Sequence, residues 1–211
     1  MTLTLFVFLV IALRVFYALK KGNKTKKDVE QYNYDKKTTM LFWEDNYLTV
    51  ELVPKENMEF ILADNKRIKK HGEEHFSGKG FTEITEIEEI PFKTEKMRIS
   101  IEKITKLFES IGLSKYEKLL YCGGGKPTEI ENPKTIAYGE FESAIFLEPS
   151  NGELKHIWID SNNWENLPTT KIENGLKAIG KEFDLILVDW ISNKVIDLKN
   201  EIEIEKYIKT E

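Results

Sequence analysis

A few residues in this chain have types and spacings that could do chemistry. His71-Gly72-Glu73-Glu74-His75 matches H-x-x-E-H, the inverted zinc-protease motif, in which two histidines on one helical face hold the ion and a glutamate acts as base. That chemistry needs an unbroken helix under both imidazoles. Gly72 lies inside the motif and Phe76-Ser77-Gly78-Lys79-Gly80 follows it. The sequence therefore predicts that the helix ends here as a solvated, charged terminus, with no metal bound. Gly123-Gly124-Gly125-Lys126 resembles part of a phosphate-binding loop, which needs G-x-x-x-x-G-K-[ST] opening a helix. Leu120 stands where the first glycine belongs and Pro127 where the hydroxyl residue belongs, so an inter-strand loop is expected. Cys122 and His156 could pair as nucleophile and base. Cys122 ends an apolar run, however, and reads as a small buried hydrophobe. Carboxylate pairs such as Asp160 and Asp189 carry little meaning among 36 acids. No catalytic residue, metal ligand or cofactor is expected, and the chain reads as a non-enzyme.

The tryptophans beside acids form the more suggestive pattern. Trp43-Glu44-Asp45 and Asp189-Trp190 each sit at a predicted strand end, and Trp158 and Trp164 flank Asp160. Tryptophan next to carboxylates suits a binding face for a basic protein. The same tryptophans would equally serve as core. The candidate partner-binding residues are Trp43, Glu44, Asp45, Trp158, Asp160, Asp189 and Trp190.

The elements that position them follow from periodicity. Thr38 to Trp43 is apolar, and Tyr47 to Val53 alternates, which predicts a hairpin across Glu44-Asp45-Asn46. Pro54 suits the first position of a helix, and Met58, Ile61, Leu62, Asn65 and Ile68 predict an amphipathic helix over 55–70, closed by Gly72. Phe81 to Ile90 is rich in β-branched residues and predicts an exposed strand. Ser100 caps a helix whose buried stripe is Ile101, Ile104, Leu107, Phe108 and Ile111. Strands are predicted at 116–122, 135–138 and 143–148. Pro149-Ser150-Asn151-Gly152 turns the last of these back into Leu154–Asp160. A helix over about 170–183 precedes a strand pair at 184–189 and 194–197. Asn200 with Glu203 predicts a capped terminal helix. Strands in hairpins broken by single helices mean an α+β domain on a mostly antiparallel sheet with three to four helices.

The N-terminus has a different character. The 18 residues Thr2–Leu19 are apolar except for Thr2, Thr4 and Arg14, and as a helix they would span about 27 Å, enough for a bilayer core. Arg14 lies near the Lys20 end, where its stem can reach the interface. The run lacks the basic start and small-residue cleavage site of a signal peptide. A single-pass anchor is expected over 1–21, followed by a basic polar linker over 22–39 and one acidic domain over 40–211. A cleaved signal, or an apolar helix packed into the protein's own core, would be the alternatives. Residues 1–39 carry eight Lys/Arg against three acids, and residues 40–211 carry 23 against 33. Basic flanks stay in the cytoplasm, so the domain is expected on the cytoplasmic side of a bacterial inner membrane. The lone Cys122 fits a reducing compartment. The net charge of −10 over 40–211 opposes nucleic-acid binding. It favours a basic protein partner or serves solubility alone.

Two stretches carry a resemblance. These are Trp43-Glu44-Asp45-Asn46-Tyr47-Leu48-Thr49-Val50-Glu51-Leu52-Val53-Pro54-Lys55-Glu56-Asn57, and Ile186-Leu187-Val188-Asp189-Trp190 through Val195-Ile196-Asp197-Leu198 with its short terminal helix. Both resemble small α+β immunity proteins of bacterial toxin–immunity systems. The resemblance implies an acidic, non-enzymatic domain that binds a toxin domain directly, here stationed at the membrane. A membrane-bound enzyme with an unrecognised carboxylate or metal site, or a scaffold subunit of an envelope complex, are the other expectations.

Overall fold

Apolar side chains on both faces of the same strands require cover on both sides. A computed structural model describes residues 34–123, 127–130, 134–140, 142–160 and 170–210. The domain is α+β, with four α-helices among the described residues: α1 (Met58–His75), α2 (Ile101–Ser110), α3 (Thr170–Glu182) and α4 (Glu201–Thr210). The strands are β1 (Thr39–Trp43), β2 (Val50–Pro54), β3 (Ser114–Lys115), β4 (Lys118–Cys122), β5 (Thr128–Glu129), β6 (Ile136–Glu140), β7 (Ser143–Ser150), β8 (Glu153–Asp160), β9 (Leu185–Asp189) and β10 (Lys194–Asp197). The main sheet has the order β10-β9-β2-β8-β7-β6-β3 and is antiparallel throughout.

Alternation along these strands sorts the layers. Leu52, Ile145, Leu147, Ile157, Ile159, Leu185 and Leu187 point to one face. There they meet Ile104 and Phe108 of α2, Ile172, Leu176 and Ile179 of α3, and Ile204, Tyr207 and Ile208 of α4. On the opposite face, Ala144, Phe146 and Trp158 pack under a small sheet of order β1-β4-β5. Val53, Ile186 and Val188 pack under Ile61 of α1. Gly180 sits where α3 crosses the chain after β10. A Cβ there would lie 1.9 Å from the Leu198 carbonyl oxygen, so only glycine permits this approach.

Local signals placed most elements. Ser100 Oγ accepts from Lys103 N at 3.4 Å and starts α2. Asn151 and Gly152 take positive φ of 52° and 81° and turn β7 into β8, as this dipeptide type favours. Asn200 Oδ1 accepts from Ile202 N and Glu203 N at 3.2 and 3.4 Å. Glu203 Oε2 accepts from Asp197 N rather than completing a reciprocal box.

Three expectations are corrected. Thr39–Trp43 and Val50–Pro54 do not form a hairpin. β1 pairs in parallel with β4, while β2 is a central strand of the other sheet between β8 and β9. Pro54 ends β2 and caps a single 3-10 turn, Lys55–Asn57, that leads straight into α1. The helix expected over 55–70 runs from Met58 to His75, straight through Gly72. A glycine there costs about 1 kcal/mol relative to alanine, which the chain tolerates because the following segment folds back and bonds to this turn. Phe81–Ile90 is not a strand. Its groups bond to α1, as described below, instead of to a sheet edge.

At the N-terminal end, Tyr34 Oη donates to Glu142 Oε1 at 2.6 Å and Lys36 Nζ to Glu142 Oε2 at 3.0 Å. The end of the expected linker is therefore held to the domain. The expected anchor at 1–21 lies outside the described residues. Among the described residues, no helix is long and apolar enough to cross a membrane.

Candidate functional site

Strand ends bring the tryptophan–acid positions to one end of the main sheet. Asp189 closes β9 opposite Val50, and Asp160 closes β8. The loop between β1 and β2 runs over this end, where Asn46 Nδ2 donates to Asp160 Oδ1 at 3.0 Å and Trp190 N donates to Thr49 O at 3.0 Å.

Only part of the set reaches solvent. Trp158 is 1% exposed and stacks on Phe146 at 5.1 Å with the rings 6° apart; Tyr47 meets its edge at 5.1 Å. Asp160 is buried below the loop. Asp189 is buried as well and organises the β9–β10 turn. Its Oδ1 accepts from Ile191 N and Ser192 N, and its Oδ2 accepts from Ser192 Oγ and Tyr207 Oη. Trp43 and Trp190 are half-buried in separate apolar clusters. Glu44 and Asp45 are exposed, and Glu44 Oε2 accepts from Tyr121 Oη at 2.6 Å. Trp164, the phosphate-loop candidates Gly124, Gly125 and Lys126, and the rest of 161–169 lie outside the described residues.

Beside this loop lies a polar cluster that sequence inspection missed, because its members alternate along strands far apart in the chain. His156 Nδ1 is 3.0 Å from Glu51 Oε1. Glu148 accepts from Tyr47 Oη at 2.7 Å and from Lys155 Nζ at 2.8 Å. Burial pushes the Glu148 carboxyl up, but these two hydrogen bonds outweigh it and hold it below its ordinary value. Burial and the same bond push the Tyr47 hydroxyl up.

Cys122 is not poised as a nucleophile. Its thiol is buried and lies 3.6 Å from the Leu120 carbonyl oxygen, while His156 is engaged by Glu51. Burial, then the charge of Asp160, pushes the thiol from 9.0 up to about 11. The folded state thus holds the proton more tightly than the unfolded one. This contribution is complete below about pH 9 and is lost as pH rises toward 11. Urea unfolding at pH 8 and pH 10.5 should show wild type losing more stability than Cys122→Ala across that interval. An equal loss in both would exclude the thiol as the cause.

A second region surrounds the C-terminal half of α1. Residues 76–90 form an arm that folds back along the helix. Ser77 N and Oγ donate to Gly80 O at 2.9 and 2.7 Å and close its turn. Thr82 N and Oγ1 donate to His75 O at 2.9 and 3.0 Å. Further along, Arg67 reaches Thr85 Oγ1 and Glu86 O, both at 2.7 Å, and Glu88 N donates to Asp64 Oδ2 at 3.1 Å. Asp64 is buried and also pairs with Arg67 at 2.6 Å. Its charge is thus compensated while it holds the arm. Between helix and arm lies an open groove of about 710 Å³, lined by Ile68, His71, Gly72, Phe76, Phe81 and Ile84 among others.

Within that groove the structure gathers three side chains of metal-ligating type. One ligand atom from each of His71, His75 and Glu83 lies within 4.8 Å of the other two. Both histidines belonged to the H-x-x-E-H match. Glu83 carries no sequence signal, since only the fold-back of the arm brings it to them. The exposed Ile84 and Ile87 of the arm belong to the β-branched run that predicts an exposed strand.

Comparison with protein-family models, with curated proteins and with solved structures finds no match.

Proposed function

We propose that this chain is a membrane-tethered protein-binding domain of the immunity class, neutralising a bacterial toxin by direct binding on the cytoplasmic face of the inner membrane. The arm supplies the observation that carries this reading. Phe76, Phe81, Ile84 and Ile87 are 56, 61, 87 and 48% exposed along one segment. Glu83, Glu86, Glu88 and Glu89 stand among them. Apolar rows rimmed by charge mark interaction surfaces, because leaving them wet has no folding benefit. The acidic rim, the exposed Glu44 and Asp45, and the net charge of the domain suit a basic partner. The apolar N-terminal run would station the domain where a toxin enters.

The test is protection. Cells making the full chain should survive production of the toxin encoded beside its gene, and absence of protection would refute the reading. In binding kinetics with that toxin, Asp45→Lys combined with Glu86→Lys should slow association about tenfold at low salt and flatten its salt dependence. An unchanged rate and an unchanged salt slope would remove the electrostatic argument.

A further inference from the structure

We propose that His71, His75 and Glu83 form a site for a zinc-class divalent cation that clasps the arm to α1. The site stands apart from the identity of any protein partner. Four observations carry it. First, α1 continues unbroken to His75, so the two imidazoles lie one turn apart on one face, with their rings 4.3 Å apart and inclined at 28°. Second, Glu83 comes from the opposite wall of the groove. It is held in place because its neighbour Thr82 donates twice to the His75 carbonyl. Third, the spacing suits a tetrahedral ion. Bonds of 2.0–2.2 Å place ligand atoms about 3.3–3.5 Å from each other. His75 Nδ1 and Glu83 Oε2 are already 3.4 Å apart, and the whole set lies within 4.8 Å. An ion at the centre requires the two imidazoles, now stacked, to turn their donor nitrogens toward one point. Fourth, His71 Nε2 is buried without a hydrogen-bond partner. A buried nitrogen left this way is costly, and a cation would engage its lone pair.

The donor set identifies the class of ion. Two imidazoles and one carboxylate suit zinc, cobalt or nickel, whereas calcium and magnesium favour oxygen ligands alone. The surroundings indicate the role. Glu74, the glutamate that would serve as base in H-x-x-E-H, pairs with Lys70 at 3.7 Å. Glu73 lines the groove instead. The ligands come from two elements, the helix and the arm, so the ion's role is that of a clasp between them.

Titration of the full chain with zinc chloride tests the site. One zinc per chain is expected, and cobalt should give the visible absorption bands of a four-coordinate ion. His71→Ala and His75→Ala should each weaken zinc binding at least about 100-fold, since removing a ligand outweighs removing a ligand's supporting partner. Glu83→Gln should weaken it about tenfold, while His156→Ala should leave it unchanged. Melting of each variant in chelator establishes that it folds. In hydrogen exchange, zinc should protect the amides of 81–86. No stoichiometric binding, or equal binding by the variant lacking all three ligands, would overturn the site. Stoichiometric binding without protection of the arm would overturn the clasp.

Discussion

Trp158→Ala should lower the unfolding free energy by about 3–5 kcal/mol, the range for truncating a large buried aromatic side chain. Trp158 lies between the two sheets, stacked on Phe146 and bordered by Phe42 at 6.1 Å and by Tyr47. Strands on both sides hold these rings, so the site cannot collapse to refill the void. Domains of this size are stable by only about 5–15 kcal/mol, so the variant should lose a large fraction of its stability. Trp158→Phe keeps a ring on Phe146 and should recover more than half of the loss. Urea midpoints of the three proteins measure this. A loss below about 1 kcal/mol for the alanine variant would show that Trp158 is not the keystone between the sheets.

The arm should behave in the opposite way. Ile84→Asp places a charge where the native side chain is 87% exposed, and surface changes of this kind stay within about 0.5 kcal/mol of wild-type stability. If Ile84 and Phe81 form the centre of the partner interface, Ile84→Asp and Phe81→Asp should each weaken binding by about 30-fold or more. That corresponds to the roughly 2 kcal/mol that marks a hot spot. The Phe81 ring packs on Phe76 with centroids 5.4 Å apart, so the melting temperature of Phe81→Asp must be compared with that of Ile84→Asp. Tight binding retained by both variants would move the interface away from the arm. A Phe81 variant that melts early and binds weakly, beside an Ile84 variant that does neither, would make the arm a structural device.

Local chemistry made much of the fold legible. The Asn151-Gly152 turn, the Ser100 cap and the stripe of Ile104 and Phe108 each specify their own element within a few residues. The pairing of Thr39–Trp43 with Lys118–Cys122 was not legible, because a parallel register depends on strands far apart in the chain. A hairpin with the next strand is the simpler reading of the same residues. Helix α1 outran its expected end because tertiary bonds from Thr82 and the neighbouring arm override the local cost of Gly72. The tryptophan–acid pattern located a real convergence of strand ends. It could not tell how deep each residue lies, since Trp158 is fully buried while Trp43 is half-buried, and both stand within two residues of an acid.

The position of β2 also sets an order of events during synthesis. Its five residues are buried throughout, yet its neighbours in the sheet, around Trp158 and over Leu185–Asp189, are translated long after it. At roughly 5–20 residues per second the ribosome takes on the order of ten seconds to supply them. Until then Val50–Pro54 is an apolar segment with unmet backbone groups, and β1 waits in the same way for β4. The sheet can close only when nearly the whole domain has emerged. Such non-local closure folds slowly, and the apolar strands stay exposed over that interval.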